Sequence, residues 1–166
     1  MSSPVPARAG TLSRILSVAI AAVVFVGDQA TKALVEHHIP EYAVIPVVPG
    51  FFNLTHTKNA GAVFGLFSES PATWKTVLLI VISTALLITV VGIVWRTRRL
   101  GWETSLGLAL TLGGALSNLL DRIRMGRVVD FLDFYVRSYH WASFNLADSA
   151  IVVGAGFLIL QVLFSD

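Results

Sequence analysis

The chain has 166 residues, 55% hydrophobic and only 13% charged, with twelve Lys+Arg against ten Asp+Glu for a net charge of +2; its mean hydropathy is +0.75. Soluble domains carry about 25% charged residues, so this chain has more apolar surface than a water-soluble fold of its length can bury, and it reads as one integral membrane domain over residues 1–166. It has no cysteine, which excludes disulfides, thiolate nucleophiles, cysteine-ligated metals and S-acylation, and its arginines form no long basic tract, so nucleic-acid binding is not expected.

Four stretches approach the ~20 helical residues that cross a bilayer. The first, Ile15 to Val35, follows Arg8 and Arg14 and contains Asp28 and Lys32. Its apolar run is long and Gly27–Lys32 is a poor cleavage site, which favours a retained helix over a signal peptide. Residues 37–76 come next. Pro40, Pro46, Pro49 and Gly50 break helices there, while Tyr42–Ile45 and Phe51–Thr57 have strand character. The spacing predicts a few short antiparallel strands at the outer membrane surface, then a short interfacial helix over Glu69–Lys75 with Trp74 at headgroup level. The second span, Val77 to Trp95, is nineteen residues without a charge. Arg96, Arg98 and Arg99 follow it closely. The third, Thr104 to Leu120, is rich in small residues that let helices approach in lipid. The fourth, Phe144 to Phe164, contains Asp148.

The arginines after the second span and before the first favour cytoplasmic termini. Arg122, Arg124, Arg127 and Arg137 then fall outside, where Asp121, Asp130 and Asp133 are available as partners.

An ionisable group in a membrane helix is costly and therefore a functional candidate. Asp28 and Lys32, four apart on one face, suit a structural ion pair. Asn118, Asp121 and Arg122 share a face at the end of the third span, where structural and substrate-positioning roles are equally open. Asn145 and Asp148 share a face at the start of the fourth, which places Asp148 at interface depth, about 6 Å into the span. Asp130, within Val128–Phe131, is drawn toward the same surface by its apolar neighbours. Spacing alone leaves two readings: unrelated structural acids, or two adjacent carboxyls of which one keeps its proton near neutrality. Such a pair can activate water with one member and polarise a carbonyl with the other. Neither a serine-nucleophile elbow nor a metalloprotease or phosphate-loop motif occurs. His37 and His38 are adjacent and do not face each other on a helix, so no metal site is expected.

Five blocks in order, Asp28-Gln29-Ala30-Thr31-Lys32, Asn59-Ala60-Gly61-Ala62-Val63-Phe64, Asn118-Leu119-Leu120-Asp121-Arg122, Val128-Val129-Asp130-Phe131 and Phe144-Asn145-Leu146-Ala147-Asp148-Ser149, resemble the lipoprotein signal peptidases, the type II signal peptidases of bacteria. The resemblance runs from residue 28 to residue 149. It implies a mainly α membrane fold with four transmembrane helices, a small extracytoplasmic β-cradle, and both termini on the cytoplasmic side of the inner membrane. It implies an aspartic-type endopeptidase that cleaves diacylglyceryl-modified prolipoproteins just before the lipidated cysteine. By the same resemblance Asp130 and Asp148 are the catalytic pair. Asn59, Gly61, Asn118, Arg122 and Asn145 line the substrate site, and Asp28, Lys32 and Asp121 hold the framework. No cofactor or metal is implied, and a monomer in contact with membrane lipid is expected. The family commonly has glycine where this chain has Ser117, which predicts altered helix packing or a hydrogen bond to a nearby backbone carbonyl.

Two other readings remain from the residues alone. One is a small proton- or ion-coupled transporter relaying through Asp28, Asp121 and Asp148, which the unbroken second span disfavours. The other is a scaffold whose acids merely pair.

Overall fold

The computed structural model describes residues 8–60, 72–96 and 101–164. In chain order they form α1 (Arg8–His38), β1 (Val44–Val48), β2 (Phe52–Asn59), α2 (Ala72–Arg96), α3 (Trp102–Met125), β3 (Val128–Val136), β4 (Tyr139–His140) and α4 (Leu146–Phe164).

Helix α3 is the hub, packed most closely on α4 and α1 and less extensively on α2. Its small residues are the reason. A Cβ added at Gly113 would lie 2.5 Å from the Ala21 carbonyl oxygen on α1, and one added at Gly114 would collide with the Ala147 carbonyl oxygen in the first turn of α4. The backbones approach this closely because nothing stands between them. The outward faces are apolar: Val23, Ile88 and Val162 are 72%, 68% and 79% exposed. Water would not tolerate that surface at this density, whereas hydrocarbon would.

Among the described residues, two helices are long and apolar enough to cross a membrane, Arg14–His38 and Leu146–Phe164. The apolar part of α2, Thr76–Gly92, is shorter, and α3 carries Asp121, Arg122 and Arg124 in its last turns.

The four strands form one antiparallel sheet in the order β1-β2-β3-β4. Its composition departs from expectation. Among its described residues the segment 37–76 supplies β1 and β2; β3, which lies between β2 and β4, comes from the connection between α3 and α4. The signal was present in Val128-Val129-Asp130-Phe131-Leu132-Asp133-Phe134-Tyr135-Val136, nine residues dominated by β-branched and aromatic types. Gly126, in the left-handed region at φ 68°, ends α3 and lets the chain turn at once into this strand. Tyr42, expected in a strand, has φ 67° and lies in a turn before β1. No separate helix covers 72–75, which are the first turn of α2; residues 69–71 of that expected helix lie outside the described residues. The sheet is fastened to the helices by a buried cluster of Val35, Ile39, Val129 and Phe131, so β3 rests on the end of α1.

Gly114→Ala tests the close approach. It should force the first turn of α4 away from α3 and destabilise the protein by about 1–3 kcal/mol, the usual cost of overpacking. Gly156→Ala is the control, because nothing lies within 4 Å of a Cβ there; it should leave stability unchanged. Thermal unfolding of the two purified variants decides the matter, and a Gly114→Ala protein as stable as wild type would show that the packing has room to spare.

Candidate active site

The site begins with the start of α4. Asn145 precedes the helix, and its Oδ1 accepts the Asp148 N–H at 2.9 Å. The Asp148 carboxylate reaches back to the Asn145 N–H at 3.3 Å. This is a reciprocal capping box, with Asn and Asp in place of the usual Ser/Thr and Glu. It explains locally why Asn145-Leu146-Ala147-Asp148 starts a helix, and it puts Asp148 in the first turn, about 3 Å along the axis from Leu146.

The cap also determines what Asn145 can do elsewhere. Because its oxygen is engaged by a backbone donor, its Nδ2 must donate, and it does so to Asp130 Oδ1 at 2.8 Å. The second oxygen of Asp130 accepts Asn59 Nδ2 at 3.1 Å. Asp130 is on β3 opposite Thr57 of β2, next to an irregularity in the β2–β3 register, and Thr57 Oγ1 donates to the Asp130 carbonyl at 3.2 Å. One asparagine therefore joins an acid on the sheet to an acid on a helix.

A second asparagine joins the pair to the helices. Lys32 Nζ donates to Asn118 Oδ1 at 2.8 Å, which turns the Asn118 amide nitrogen toward Asp148; Nδ2 donates to Asp148 Oδ1 at 2.8 Å. The same ammonium pairs with Asp28 and with Asp121, both at 2.6 Å. Its three protons thus meet three acceptors. Asp28 in turn accepts the Ala147 N–H at 2.8 Å, satisfying another free donor at the start of α4. Arg122 donates to the Asn118 carbonyl at 3.3 Å. Its guanidinium interacts electrostatically with Asp148, Asp130 and Asp121, most strongly with Asp148, and its buried Nε has no hydrogen-bond partner among the described residues.

Burial, and secondarily the charge of Asp148, push the Asp130 carboxyl up from 3.8 to about 7, against the opposing hydrogen bonds from Asn59 and Asn145. A carboxyl with that value carries a proton about half the time at neutral pH and can act as an acid there.

The structure therefore brings together Asp130, Asp148, Asn59, Asn118, Arg122 and Asn145, and joins them to Asp28, Lys32 and Asp121. Gly61 lies outside the described residues. The expected pairing of the outer arginines with acids is not what the short contacts show: Asp121 takes Lys32, Asp133 takes His140 at 2.9 Å and Asn53 at 2.8 Å, and Asp130 takes the two asparagines. Of the four arginines, Arg122 does interact electrostatically with Asp148, Asp130 and Asp121, but none makes a short ion pair with those acids among the described residues. Two further contributors are not evident from spacing. Gln29 Nε2 donates to Asp121 Oδ1 at 2.7 Å and to Ser117 Oγ at 2.9 Å. Ser117, expected to bond a backbone carbonyl or only alter packing, instead donates to Asp28 Oδ2 at 2.7 Å. Gln29 sits beside Asp28 in the first block, but its reach across to α3 depends on how α1 and α3 cross.

Two carboxyls held by amide donors, with a cation beside them, can polarise a water molecule and protonate a carbonyl oxygen or a leaving nitrogen. Comparison with known proteins shows what the chain is similar to. Residues 20–164 match the family model described as signal peptidase (SPase) II. A lipoprotein signal peptidase of Solibacter usitatus is 43% identical over 144 residues, 87% of this chain and 88% of the relative. One from Xylella fastidiosa is 43% identical over 152 residues, 92% and 88% of the two chains. Two solved structures described as a bacterial membrane enzyme, each 30% identical, superpose with TM-scores of 0.79 and 0.78. The first covers 91% of this chain and 94% of its own, the second 89% and 87%.

Proposed function

The chain belongs to the signal peptidase II family, a family of bacterial peptidases that process lipoproteins, and on that premise we propose that it removes the signal peptide from diacylglyceryl-modified prolipoproteins by an aspartate pair, Asp130 and Asp148. The observation that carries the proposal is Asn145, which caps the helix bearing Asp148 and donates to Asp130 with the same amide group. Cleavage falls just before the lipidated cysteine. Acyl chains in the bilayer anchor that cysteine at interface depth, the depth of a residue in the first turn of a spanning helix. Such anchoring supplies orientation, which accounts for a large part of many catalytic barriers.

In this mechanism Asp148, facing Arg122, is the ionised member and takes a proton from water. Asp130 is the protonated member; it donates its proton to the carbonyl oxygen as the tetrahedral intermediate forms and takes it back when the intermediate collapses, while Asp148 passes the proton it took from water to the leaving nitrogen. The pair titrates as a unit. Asn59 and Arg122 are the substrate-facing polar groups, and Gly61 joins them in the proposed site. Asn118 and Asn145 orient the acids. All four helices cross the membrane in this reading, α2 and α3 included; their 25 and 24 residues are long enough. Both termini are cytoplasmic, the sheet lies at the extracytoplasmic face, and the enzyme works as a monomer.

The direct test uses purified protein in lipid with a fluorogenic peptide carrying diacylglyceryl-cysteine, beside the same peptide without lipid. Cleavage before the cysteine of the lipidated peptide alone is expected; an intact lipidated peptide with folded enzyme sinks the proposal.

The pH dependence follows from Asp130. Its value is raised in the folded protein, so its proton is held more tightly folded than unfolded. The stabilisation that goes with this is complete below about 4 and is lost as pH rises through about 7. Activity should follow the same proton. The rate should fall tenfold per pH unit well above 7, and a rate that climbs steadily to pH 9 would remove Asp130 from the acid role.

A further inference from the structure

The first turn of α4 is held from outside its own helix by Asp28, whose Oδ1 accepts the Ala147 N–H. The other oxygen, Oδ2, has two donors: Lys32 Nζ at 2.6 Å and the Ser117 hydroxyl at 2.7 Å. Ser117 is fully buried, 0% exposed, as is Asp28. A hydroxyl has one proton to give. Gln29 Nε2 can only donate, and it does so to Ser117 Oγ at 2.9 Å, so the hydroxyl proton is directed to Asp28. The order of donation is Gln29 to Ser117 to Asp28. Lys32 cannot replace the hydroxyl, because its three protons are already shared among Asp28, Asp121 and Asn118.

We propose that Ser117 is a positioning residue for Asp148: its hydroxyl, oriented by Gln29, fixes the Asp28 carboxylate, and Asp28 fixes the first turn of α4 against α3. The inference rests on Asp148 being one of the reacting pair. The physical reason is a division of supports. Asp130 is carried by β3, whereas Asp148 is carried by α4, so any shift of the first turn of α4 changes the spacing between them. Removing the hydroxyl leaves a buried carboxylate oxygen one donor short. The carboxylate then turns toward Lys32 and loosens its bond to Ala147. Substrate-facing groups on β2 and at the end of α3 keep their places, so the change falls on the chemical step and not on binding.

The test measures kcat and KM with the diacylglyceryl-cysteine peptide for wild type, Ser117→Ala, Gln29→Met, Ser105→Ala and Asp148→Asn, each normalised to folded enzyme. Ser105 is another buried hydroxyl of α3, twelve residues and about 18 Å away along the helix. Ser117→Ala should lower kcat about tenfold, less than the ~100-fold of a full ångström displacement, with KM within about twofold of wild type. Gln29→Met should lower kcat in the same direction, and Ser105→Ala should match wild type. Combining Ser117→Ala with Gln29→Met should be no worse than Gln29→Met alone, because that variant already interrupts the chain of donors, besides removing the Gln29 bond to Asp121 at 2.7 Å. Wild-type kcat in Ser117→Ala, a lower yield of folded protein with unchanged kcat per folded molecule, or a loss expressed only in KM would each overturn the proposal. Where Ser117→Ala does not fold, Gln29→Met decides alone, and an unchanged kcat overturns it. Full activity in Asp148→Asn would instead overturn the aspartate pair itself, which no serine or glutamine result touches.

Discussion

Replacing Asp148 by asparagine should lower cleavage of a lipidated substrate by about a thousandfold or more, within the range that a positioned proton-transfer group contributes. The change is small in shape. The new amide oxygen can still accept the Asn145 N–H, which Asp148 accepts at 3.3 Å, so the start of α4 keeps its cap and the protein keeps its fold. What disappears is the ability to take a proton from water, together with the acceptor for Asn118 Nδ2 at 2.8 Å. Asp130→Asn should cost about as much, since its proton is the one delivered to the substrate, and the double variant should be little worse than either single one because the two act as a unit. Steady-state cleavage of the lipidated peptide by well-folded variants gives the answer. If either variant keeps a tenth or more of wild-type activity, that aspartate is not a member of the reacting pair.

Lys32→Met should produce the largest loss of stability. The ammonium sits between Asp28 and Asp121, which are 0% and 2% exposed. Removing one partner from a buried ion cluster typically costs about 3–5 kcal/mol, because the remaining charges have neither water nor a counterion. Here two carboxylates are stranded at once. The loss also reaches the site. Without Lys32 the Asn118 oxygen loses its donor at 2.8 Å and keeps only the longer contact from Asn145 Nδ2 at 3.4 Å, which holds the amide less firmly in the orientation that donates to Asp148. Thermal unfolding in lipid should show the destabilisation directly. Adding Asp121→Asn to Lys32→Met should restore part of it by removing one stranded charge, and a double variant less stable than Lys32→Met would refute this account of the cluster.

Much of the site is legible in the order and spacing of its residues. Asp28 and Lys32 are four apart and therefore on one face, and their pair forms as that spacing predicts. Asn145 and Asp148 are three apart, the spacing of a capping box, and they form one. The five blocks point to the family, and the similarity to known signal peptidases bears that out. Asp121 is harder to read: on its own helix it shares a face with Asn118 and Arg122, yet its partners Lys32 and Gln29 come from α1. Ser117 is visible as a departure from the family's usual residue, but its bond to a carboxylate is not, because nothing in the sequence around it says which side chain of α1 it faces.

The sequence by itself determined the solvent of this protein, the approximate places of its four helices, and which polar residues required an explanation. Composition and local periodicity carry that information, since apolar content and one-turn spacings act within a single segment. Tertiary structure decided the rest. It made β3 the strand that carries Asp130 across from Thr57, and it brought α3 against α1 and α4 closely enough for Ser117 and Asn118 to reach Asp28 and Asp148. It also turned two asparagines so that each donates to a different aspartate. Those outcomes depend on residues roughly 15 to 120 positions apart meeting in one buried volume, where each donor must find an acceptor. No spacing along the chain encodes that pairing; it follows from which backbones can approach, and here glycine and alanine on α3 decide that.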